Sequence, residues 1–376
     1  MKPETLAIHA GQHPDPTTGA VVQPMILSTT FERAEDGSFI EGRDIYSRAS
    51  NPNRRALEAK LAALEGGTDA VAFGSGQAAT MSIFHSLGAG SHVILPDDIY
   101  YGTRYMIESL YANWGLTCSV VDMTDLSQIK KVIKKNTKLI WVETPSNPSL
   151  KVADIQAVVK IAHAKNILVA CDNTWATPYF TKPFEFGVDI IMHSSTKYFG
   201  GHSDILGGCV ILKNNTVITE KIRLFQTVGG ATPSAFDCWL LTRSLSTFYA
   251  RMPIHGANAM KLAEFLETHP KIEKVHYPGL KSNEYHKTAK KQMKNGFGGM
   301  LSILIKGDEA QAMRFSSSMK IVTHATSLGG VETLVDHRRS AEGEHSVSPP
   351  NLIRVSVGIE NIEDLIQDFK EALDKL

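Results

Sequence analysis

The stretch from Asp189 to His202 has the residue types for carbonyl chemistry. An apolar strand pattern runs into two serines, a threonine and Lys197, and a glycine pair follows. Hydroxyl groups at a strand end can hold a phosphate while the lysine amine reaches an aldehyde, with which it forms a Schiff base once desolvated or placed beside cations. A lone lysine is more often a solvated residue that caps a strand. The prediction that Lys197 carries a cofactor therefore depends on other segments.

A second segment, Val71–Thr80, combines a strand pattern, a Gly-Ser-Gly turn and a helix pattern. The backbone amides of Ser75, Gly76 and Gln77 would lie at the helix N-terminus, where they can bind an anion such as phosphate. The alternative is that the turn needs glycine for geometry alone. The third glycine of a GxGxxG fingerprint is missing, which disfavours a Rossmann-type nucleotide site.

Two polar residues follow buried strand patterns. Asp172 ends the run Leu168–Cys171, and a carboxylate there could hold a protonated pyridine nitrogen or cap the next turn. Asn147 lies between Pro145 and Pro148, where it could point its amide at a ligand or belong to a simple loop.

Three further positions could bind or stack on a ligand. Arg354 interrupts an apolar run, so it is either a carboxylate clamp or an outward edge residue. Tyr100 follows a strand pattern and could stack on a ring or pack in the core. Tyr46 and Arg48 lie in an N-terminal segment without strong periodicity, where exposure is the default expectation.

Composition excludes several classes of function. Lys plus Arg and Asp plus Glu both total 39, so the formal net charge is zero and gives no broad footprint for nucleic acid or an anionic membrane. No apolar run reaches membrane-spanning length, and no signal peptide precedes the chain. The four cysteines lack metal-site spacing, and we expect no metal, no membrane partner and a cytoplasmic location.

The elements that would position these residues alternate along the chain. Short apolar runs separated by amphipathic segments predict a mostly parallel sheet with helices on its faces, and ligand sites in such sheets lie at the carboxyl ends of strands. The predicted strands are 70–73, 92–95, 119–122, 139–143, 167–171, 189–192 and 208–212. We expect an N-terminal arm (1–55), a large α/β domain (56–245) and a smaller α+β C-terminal domain (246–376). The latter would hold helices at 253–267, 310–316 and 363–376 and strands at 273–277, 300–305 and 352–357.

Together these segments resemble the Cys/Met-metabolism family of pyridoxal-phosphate (PLP) enzymes. The most specific pieces are His193-Ser-Ser-Thr-Lys-Tyr, Glu143-Thr-Pro-Ser-Asn-Pro, Tyr46-Ser-Arg with Asn51-Pro52, and Ser327-Leu-Gly-Gly. The resemblance implies a fold-type I, aspartate-aminotransferase-like structure that binds pyridoxal 5'-phosphate. It also implies a homotetramer built from two tight dimers.

The resemblance further implies roles for the site residues. Lys197 would carry the cofactor and move protons, Asp172 would pair with the pyridine nitrogen, and Tyr100 would stack on the ring. The phosphate would be held by Ser75, Gly76, Gln77, Ser194 and Thr196, and from the neighbouring subunit by Tyr46 and Arg48. The remaining implied contacts are Asn147 with the ring hydroxyl, and Ser327 and Arg354 with the substrate α-carboxylate.

The implied reaction is γ-elimination or γ-replacement on a sulfur amino acid or activated homoserine, as in cystathionine γ-synthase and γ-lyase. Methionine γ-lyase, O-acetylhomoserine sulfhydrylase and cystathionine β-lyase are alternatives. A non-catalytic protein that keeps the fold is disfavoured, because Lys197, Asp172, Arg354 and Tyr100 are all retained.

Four departures from the family pattern bear on the substrate. Thr326 stands where cystathionine γ-enzymes commonly have glutamate, and Arg104 comes one place early for a distal carboxylate. Gly102 replaces the cysteine common in methionine γ-lyases, and Tyr101 is an alternative stacking residue. The segment 337–344 replaces a frequent Pro-x-x-Met-Thr-His, so we expect an altered substrate entrance.

Overall fold

The computed structural model describes residues 1–343, 346 and 348–376. Its larger sheet has seven strands in the order β1-β7-β6-β5-β4-β2-β3. They are β1 (Asp69–Phe73), β2 (His92–Pro96), β3 (Thr117–Val121), β4 (Thr137–Glu143), β5 (Leu168–Asp172), β6 (Ile190–His193) and β7 (Gly208–Leu212). The pairings from β6 to β3 are parallel, and β7 is antiparallel to both neighbours. The prediction of a mostly parallel α/β sheet is confirmed.

The smaller sheet has five strands in the order β10-β11-β12-β9-β8. They are β8 (Ile272–His276), β9 (Met300–Ile305), β10 (Thr323–His324), β11 (Leu334–His337) and β12 (Leu352–Ser356). Their pairings are antiparallel except that of β10 with β11. Strands β10 and β11 were not predicted, because they are short and carry little apolar alternation. The domain division between residues 245 and 246 stays a prediction.

Fourteen α-helices lie among the described residues. They are α1 (Pro3–His9), α2 (Pro52–Glu65), α3 (Gly76–Ser86), α4 (Tyr101–Ser109), α5 (Leu126–Val132), α6 (Ile155–His163), α7 (Thr177–Phe180), α8 (Val217–Thr227), α9 (Ala235–Leu245), α10 (Phe248–Glu267), α11 (His286–Gln292), α12 (Glu309–Ser317), α13 (Arg338–Glu342) and α14 (Ile362–Asp374). Helix α2 shows how local chemistry sets the bounds. The Asn51 side chain caps its first amides, and Gly66 ends it at a φ of 79°.

Two helices differ from what was predicted: α1 was not predicted, and α10 begins earlier than expected. The N-terminal arm contains α1, whose end is held by the buried Lys60: its ammonium donates to the carbonyls of Ala7 (2.7 Å) and Ile8 (3.2 Å). Helix α10 begins before Pro253 rather than at it. Complete burial of Phe248 and Met252 offsets the lost backbone hydrogen bond there.

Apolar clusters fill both faces of the larger sheet, and a separate cluster lies between the smaller sheet and helices α10, α12 and α14. Among the residues described, no helix combines the length and the apolar character needed to cross a bilayer. The carboxyl ends of β4, β5 and β6 end in Glu143, Asp172 and His193. Polar groups from distant parts of the chain therefore meet at this edge.

Candidate active site

A cavity of about 490 Å³ opens at this edge of the larger sheet. Most of the predicted site residues line it, although they are far apart in the chain. They are Ser75, Gly76, Gln77, Tyr100, Asn147, Asp172, Ser194, Thr196, Lys197, Ser327 and Arg354. The structure thus brings these residues together, and their individual roles stay predictions.

The N-terminus of α3 forms one wall of the cavity. The Ser75 hydroxyl caps the helix by accepting from the amide of Ala78 at 3.1 Å. A Cβ at Gly76 would come within 2.9 Å of the Ser194 hydroxyl oxygen, so only glycine allows this close approach. The amides of Gly76 and Gln77 belong to the first turn, which has no carbonyl acceptors within the helix. This wall is suited to an anion.

The turn after β6 is fixed by hydroxyl groups. The amide of Ser194 donates to the Thr174 hydroxyl at 2.9 Å, which ties this turn to the end of β5. The Thr196 hydroxyl donates to the carbonyl of Gly207 (3.2 Å) and accepts from its amide (3.0 Å). Lys197 therefore follows a rigidly held backbone.

The amine of Lys197 donates to the Ser327 hydroxyl at 2.8 Å. Burial, and then the nearby charges of Arg354 and Arg338, lower the pKa of Lys197 to about 8, against the opposing effect of Asp172. Ser327 has a φ of 83°, and its carbonyl accepts from the Arg354 guanidinium at 3.0 Å. The arrangement gives a lysine with a substantial neutral fraction near neutral pH.

Asp172 accepts from the amide of Thr174 at 3.0 Å. Burial raises the pKa of Asp172, whereas the hydrogen bonds from Thr174 and the nearby His193 and Lys197 lower it. A cationic group at this carboxylate would favour its ionised form.

Glu143 was not predicted as a site residue, although it also lines the cavity. It pairs with Asp172 in the register of β4 and β5. Burial and then the charge of Asp172 raise the pKa of Glu143 well above its usual value. Two neighbouring buried carboxylates resist double ionisation. The available signal was its place at a strand end beside that of Asp172.

Tyr100 immediately precedes α4, and its amide donates to Glu143 at 3.1 Å. A Cβ at Gly102 would lie 2.6 Å from the Tyr100 ring and 2.6 Å from the side-chain nitrogen Nε2 of Gln77. The alternative residue Tyr101 also lines the cavity, but its ring stacks on Tyr105 at a centroid distance of 5.5 Å. Tyr100 is therefore the better placed of the two rings to stack on a ligand.

Arg354 is 4% exposed. Its guanidinium donates to the Asn147 side-chain oxygen (3.2 Å) and to Asp336 (2.9 Å) as well as to the carbonyl of Ser327. Burial, and then the charge of the neighbouring Arg338, lower the pKa of Arg354 to about 10. Because Arg354 is buried in the cavity wall, its interpretation as a carboxylate-binding residue is favoured over that of an outward edge residue.

The sequence matches the model of the family described as "Cys/Met metabolism PLP-dependent enzyme" over residues 4–374. The chain belongs to this family. It is 44% identical to a cystathionine gamma-lyase of Dictyostelium discoideum, over 99% of this chain and 97% of the relative. A cystathionine gamma-synthase of Mycobacterium bovis is 43% identical over 99% and 96%. The crystal structure of metB from Corynebacterium glutamicum has a TM-score of 0.96 and 42% identity, covering 100% of this chain and 98% of that one.

The cofactor of the Cys/Met-metabolism family is pyridoxal phosphate, and the residues present fit it on two observations. The turn at Gly76 leaves an amide-lined space that a side chain would fill. Across the cavity, Lys197 has an amine whose pKa is lowered, as an amine that attacks a carbonyl requires.

Tyr46 and Arg48 do not line this cavity in their own chain. Arg48 donates to the carbonyl of Thr227 at 2.6 Å, and its guanidinium lies 5.6 Å from the centre of the Tyr46 ring. The Tyr46 side chain is 45% exposed. The prediction that both reach the cavity of a neighbouring subunit stays a prediction.

The segment after β11 adds residues that were not predicted. Arg338 and Glu342 of α13 line the cavity, while Arg104 pairs with Glu108 at 2.7 Å and lies on the surface. Of the replaced segment 337–344, Glu344 lies outside the described residues. If the substrate entrance is altered as expected, Arg338 and Glu342 are the side chains of this segment that would line it.

Proposed function

We propose that this PLP-dependent enzyme catalyses γ-elimination or γ-replacement on a sulfur amino acid or activated homoserine, as a cystathionine γ-synthase or γ-lyase. The observation that carries the proposal is the convergence of Lys197, Asp172 and Arg354 on one cavity. An amine, a carboxylate and a guanidinium there match the needs of an α-amino acid substrate. Relatives matched over nearly their full length, a cystathionine gamma-lyase and a cystathionine gamma-synthase, support it.

The cofactor would be held by groups on three sides. Asp172 would contact the ring nitrogen, Asn147 the ring hydroxyl, and Tyr100 the ring face. The phosphate would bind Ser75, Gly76, Gln77, Ser194 and Thr196. Pyridoxal phosphate, when bound, supplies an electron sink for bonds that break at the substrate α-carbon.

The chain's own residues then bind substrate and move protons. Arg354 holds the α-carboxylate, and Ser327 fixes both that site and the Lys197 amine. Lys197 takes the proton from the α-carbon, since its lowered pKa leaves part of the amine neutral. Loss of a β-proton then lets the γ-substituent leave. Water or a thiol admitted through the entrance decides between elimination and replacement.

A second candidate is a cystathionine β-lyase, which would break the bond at the β-carbon. A cystathionine beta-lyase of Coxiella burnetii is 42% identical over 98% of this chain. Thr326 lies in the cavity wall at the position where cystathionine γ-enzymes commonly have glutamate. Its side chain does not exclude a cystathionine molecule bound for cleavage at the β-carbon. Methionine γ-lyase is disfavoured, because Gly102 stands where methionine γ-lyases commonly have a cysteine. O-acetylhomoserine sulfhydrylase stays an alternative.

The proposed assembly is a homotetramer of two tight dimers in the cytoplasm. The four cysteines are free thiols, which suits a reducing compartment. Tyr46 and Arg48 would complete the phosphate site of the neighbouring subunit, so Arg48→Ala should weaken cofactor retention in dialysis. Arg43→Ala is the matched control, since Arg43 pairs only loosely with Glu32 at 3.6 Å. Equal retention in both variants would refute the intersubunit contact.

The deciding experiment is the absorbance spectrum of the purified protein with each substrate in turn. A band near ~420 nm that shifts with substrate is expected for this cofactor class. Release of 2-oxobutyrate from cystathionine identifies a γ-lyase, and formation of cystathionine from O-succinylhomoserine and cysteine identifies a γ-synthase. Pyruvate from cystathionine would identify the β-lyase instead. A protein that stays colourless with added pyridoxal phosphate would overturn the proposal.

A further inference from the structure

The first residue of α13, Arg338, is a second arginine in the wall of the cavity. It is 6% exposed. Its guanidinium donates to Asp336 at 2.7 Å and to Glu342 at 2.7 Å. Arg338 belongs to the segment that departs from the family pattern, so the family resemblance assigns it no role.

The guanidinium groups of Arg338 and Arg354 are close neighbours. Both donate to the same oxygen, Oδ2 of Asp336, at 2.7 Å and 2.9 Å. One further carboxylate in the cavity could therefore reach both groups. Asp336 is divided between two cations, which leaves Arg354 incompletely neutralised and able to bind another anion.

Arg338 has more donors than acceptors. A guanidinium carries five N–H groups, and the two carboxylates take one nitrogen each. Its Nε is buried and has no hydrogen-bond acceptor among the residues that the structure describes. Glu342 also accepts from the hydroxyls of Ser346 (2.5 Å) and Ser348 (2.9 Å), so its capacity is shared. Buried donors are normally satisfied, and a guanidinium matches a carboxylate in geometry and charge.

We propose that Arg338 is a second carboxylate-binding residue of the cavity and acts beside Arg354 on a carboxylate of the substrate. This deepens the proposed function, on which it rests. Two carboxylates could be the ligand: the α-carboxylate, or one at the end of the γ-substituent. Since the Nε is buried, the carboxylate would bind the two terminal nitrogens, each of which donates once, to Asp336 or to Glu342, among the residues that the structure describes.

The first test is calorimetric titration of the holoenzyme with butanoate and with butanamide. These ligands have nearly the same shape, and neither has an amine that could react. If the ligand is the α-carboxylate, Arg338→Met should raise the Kd of butanoate about tenfold to a hundredfold, the effect of losing a hydrogen bond to a charged group. The Kd of butanamide should not change. The control is Arg339→Met, because Arg339 is half-exposed and lies 3.9 Å from Glu309.

A second variant guards against a folding defect. Arg338→Met leaves Asp336 and Glu342 without this cation, which costs stability. Arg338→Lys keeps the charge but lacks the planar fork, so it should stay folded in thermal denaturation and lose less butanoate affinity. Equal loss of butanoate and butanamide in either variant would assign Arg338 a structural role and overturn the proposal.

Turnover distinguishes the two sources of the carboxylate. O-succinylhomoserine and O-acetylhomoserine share the amino acid, but only the succinyl group ends in a carboxylate. If Arg338 meets the distal carboxylate, Arg338→Met lowers kcat/KM for the succinyl ester alone; if it meets the α-carboxylate, both esters lose alike and butanoate affinity falls. Unchanged butanoate affinity with unchanged ester preference would overturn the proposal. Butanoate binding can be measured without turnover. A protein that is inactive on every substrate would therefore refute the proposed function, while the butanoate titration would still test the role of Arg338.

Discussion

The two sheets supply the cavity with different kinds of polar contact. Around Asp172, Ser194 and Thr196, at the end of the larger sheet, hydroxyls, backbone amides and carbonyls hydrogen-bond to the turns that follow the strands. Arg354 on the smaller sheet is instead held by the carboxylate of Asp336 and the side-chain oxygen of Asn147. The proposed cofactor side is thus positioned by hydrogen bonds of hydroxyls and backbone groups, and the proposed substrate side by a buried ion pair. Changes on the two sides should therefore affect different kinetic constants.

The largest effect is expected at Lys197, which lies between the two sides. Lys197→Ala removes the amine that we propose to hold the cofactor and to move the proton, so turnover should fall on the order of 10⁴-fold while the protein stays folded. Steady-state assays and circular dichroism check this. Lys138→Ala, at an exposed position of β4, is the control. An active Lys197→Ala variant would remove the basis of the mechanism.

The next effect tests the cofactor side. Asp172→Asn keeps the shape but removes the charge opposite the cofactor ring, so kcat should fall on the order of 10²- to 10³-fold with KM much less affected. Steady-state kinetics with saturating pyridoxal phosphate measures the split between kcat and KM. A change confined to KM would show that Asp172 serves substrate binding instead.

The sequence predicted the cofactor side better than the substrate side for a physical reason. Asp172 ends β5 and Lys197 follows the end of β6; both strands are short, largely buried apolar runs, and hydroxyl-bearing residues and glycines follow them. Local chemistry of this kind is visible in the residue order. Family resemblance, rather than spacing, supplied the role of Ser327.

Arg338 and Glu342 could not be recognised from the sequence. An Arg-Arg-Ser-Ala-Glu stretch has the pattern of a solvated helix face, and only the partner Asp336 on β11 explains the burial of Arg338. That contact depends on the antiparallel pairing of β11 with β12, and β11 itself was not predicted. Helix α1 was missed similarly, because its end is held by Lys60 on α2.

The pH dependence of stability measures how strongly both sides act on Lys197. Burial and two arginines lower its pKa from 10.5 to about 8. Between pH 8 and 10.5 the unfolded chain holds a proton that the folded chain has released, so stability due to this group rises with pH. Cofactor-free Lys197→Met should therefore be more stable than the wild type by at most about 3 kcal/mol near pH 7, and the difference should vanish towards pH 10.5. Urea denaturation at several pH values tests this, and a pH-independent difference would contradict it.

The smallest expected effect tests the substrate side. Arg354→Lys keeps the positive charge, but an ammonium cannot match the planar fork that spans Asn147, the Ser327 carbonyl and Asp336. KM should rise about tenfold to a hundredfold, since charged hydrogen bonds to the substrate carboxylate weaken, while kcat changes less. Arg243→Lys, at an exposed position of α9, is the control. The opposite responses of Asp172→Asn and Arg354→Lys would separate the two sides of the cavity. A fall in kcat alone for Arg354→Lys would mean that the substrate carboxylate binds elsewhere, because a lost ground-state contact must appear in KM.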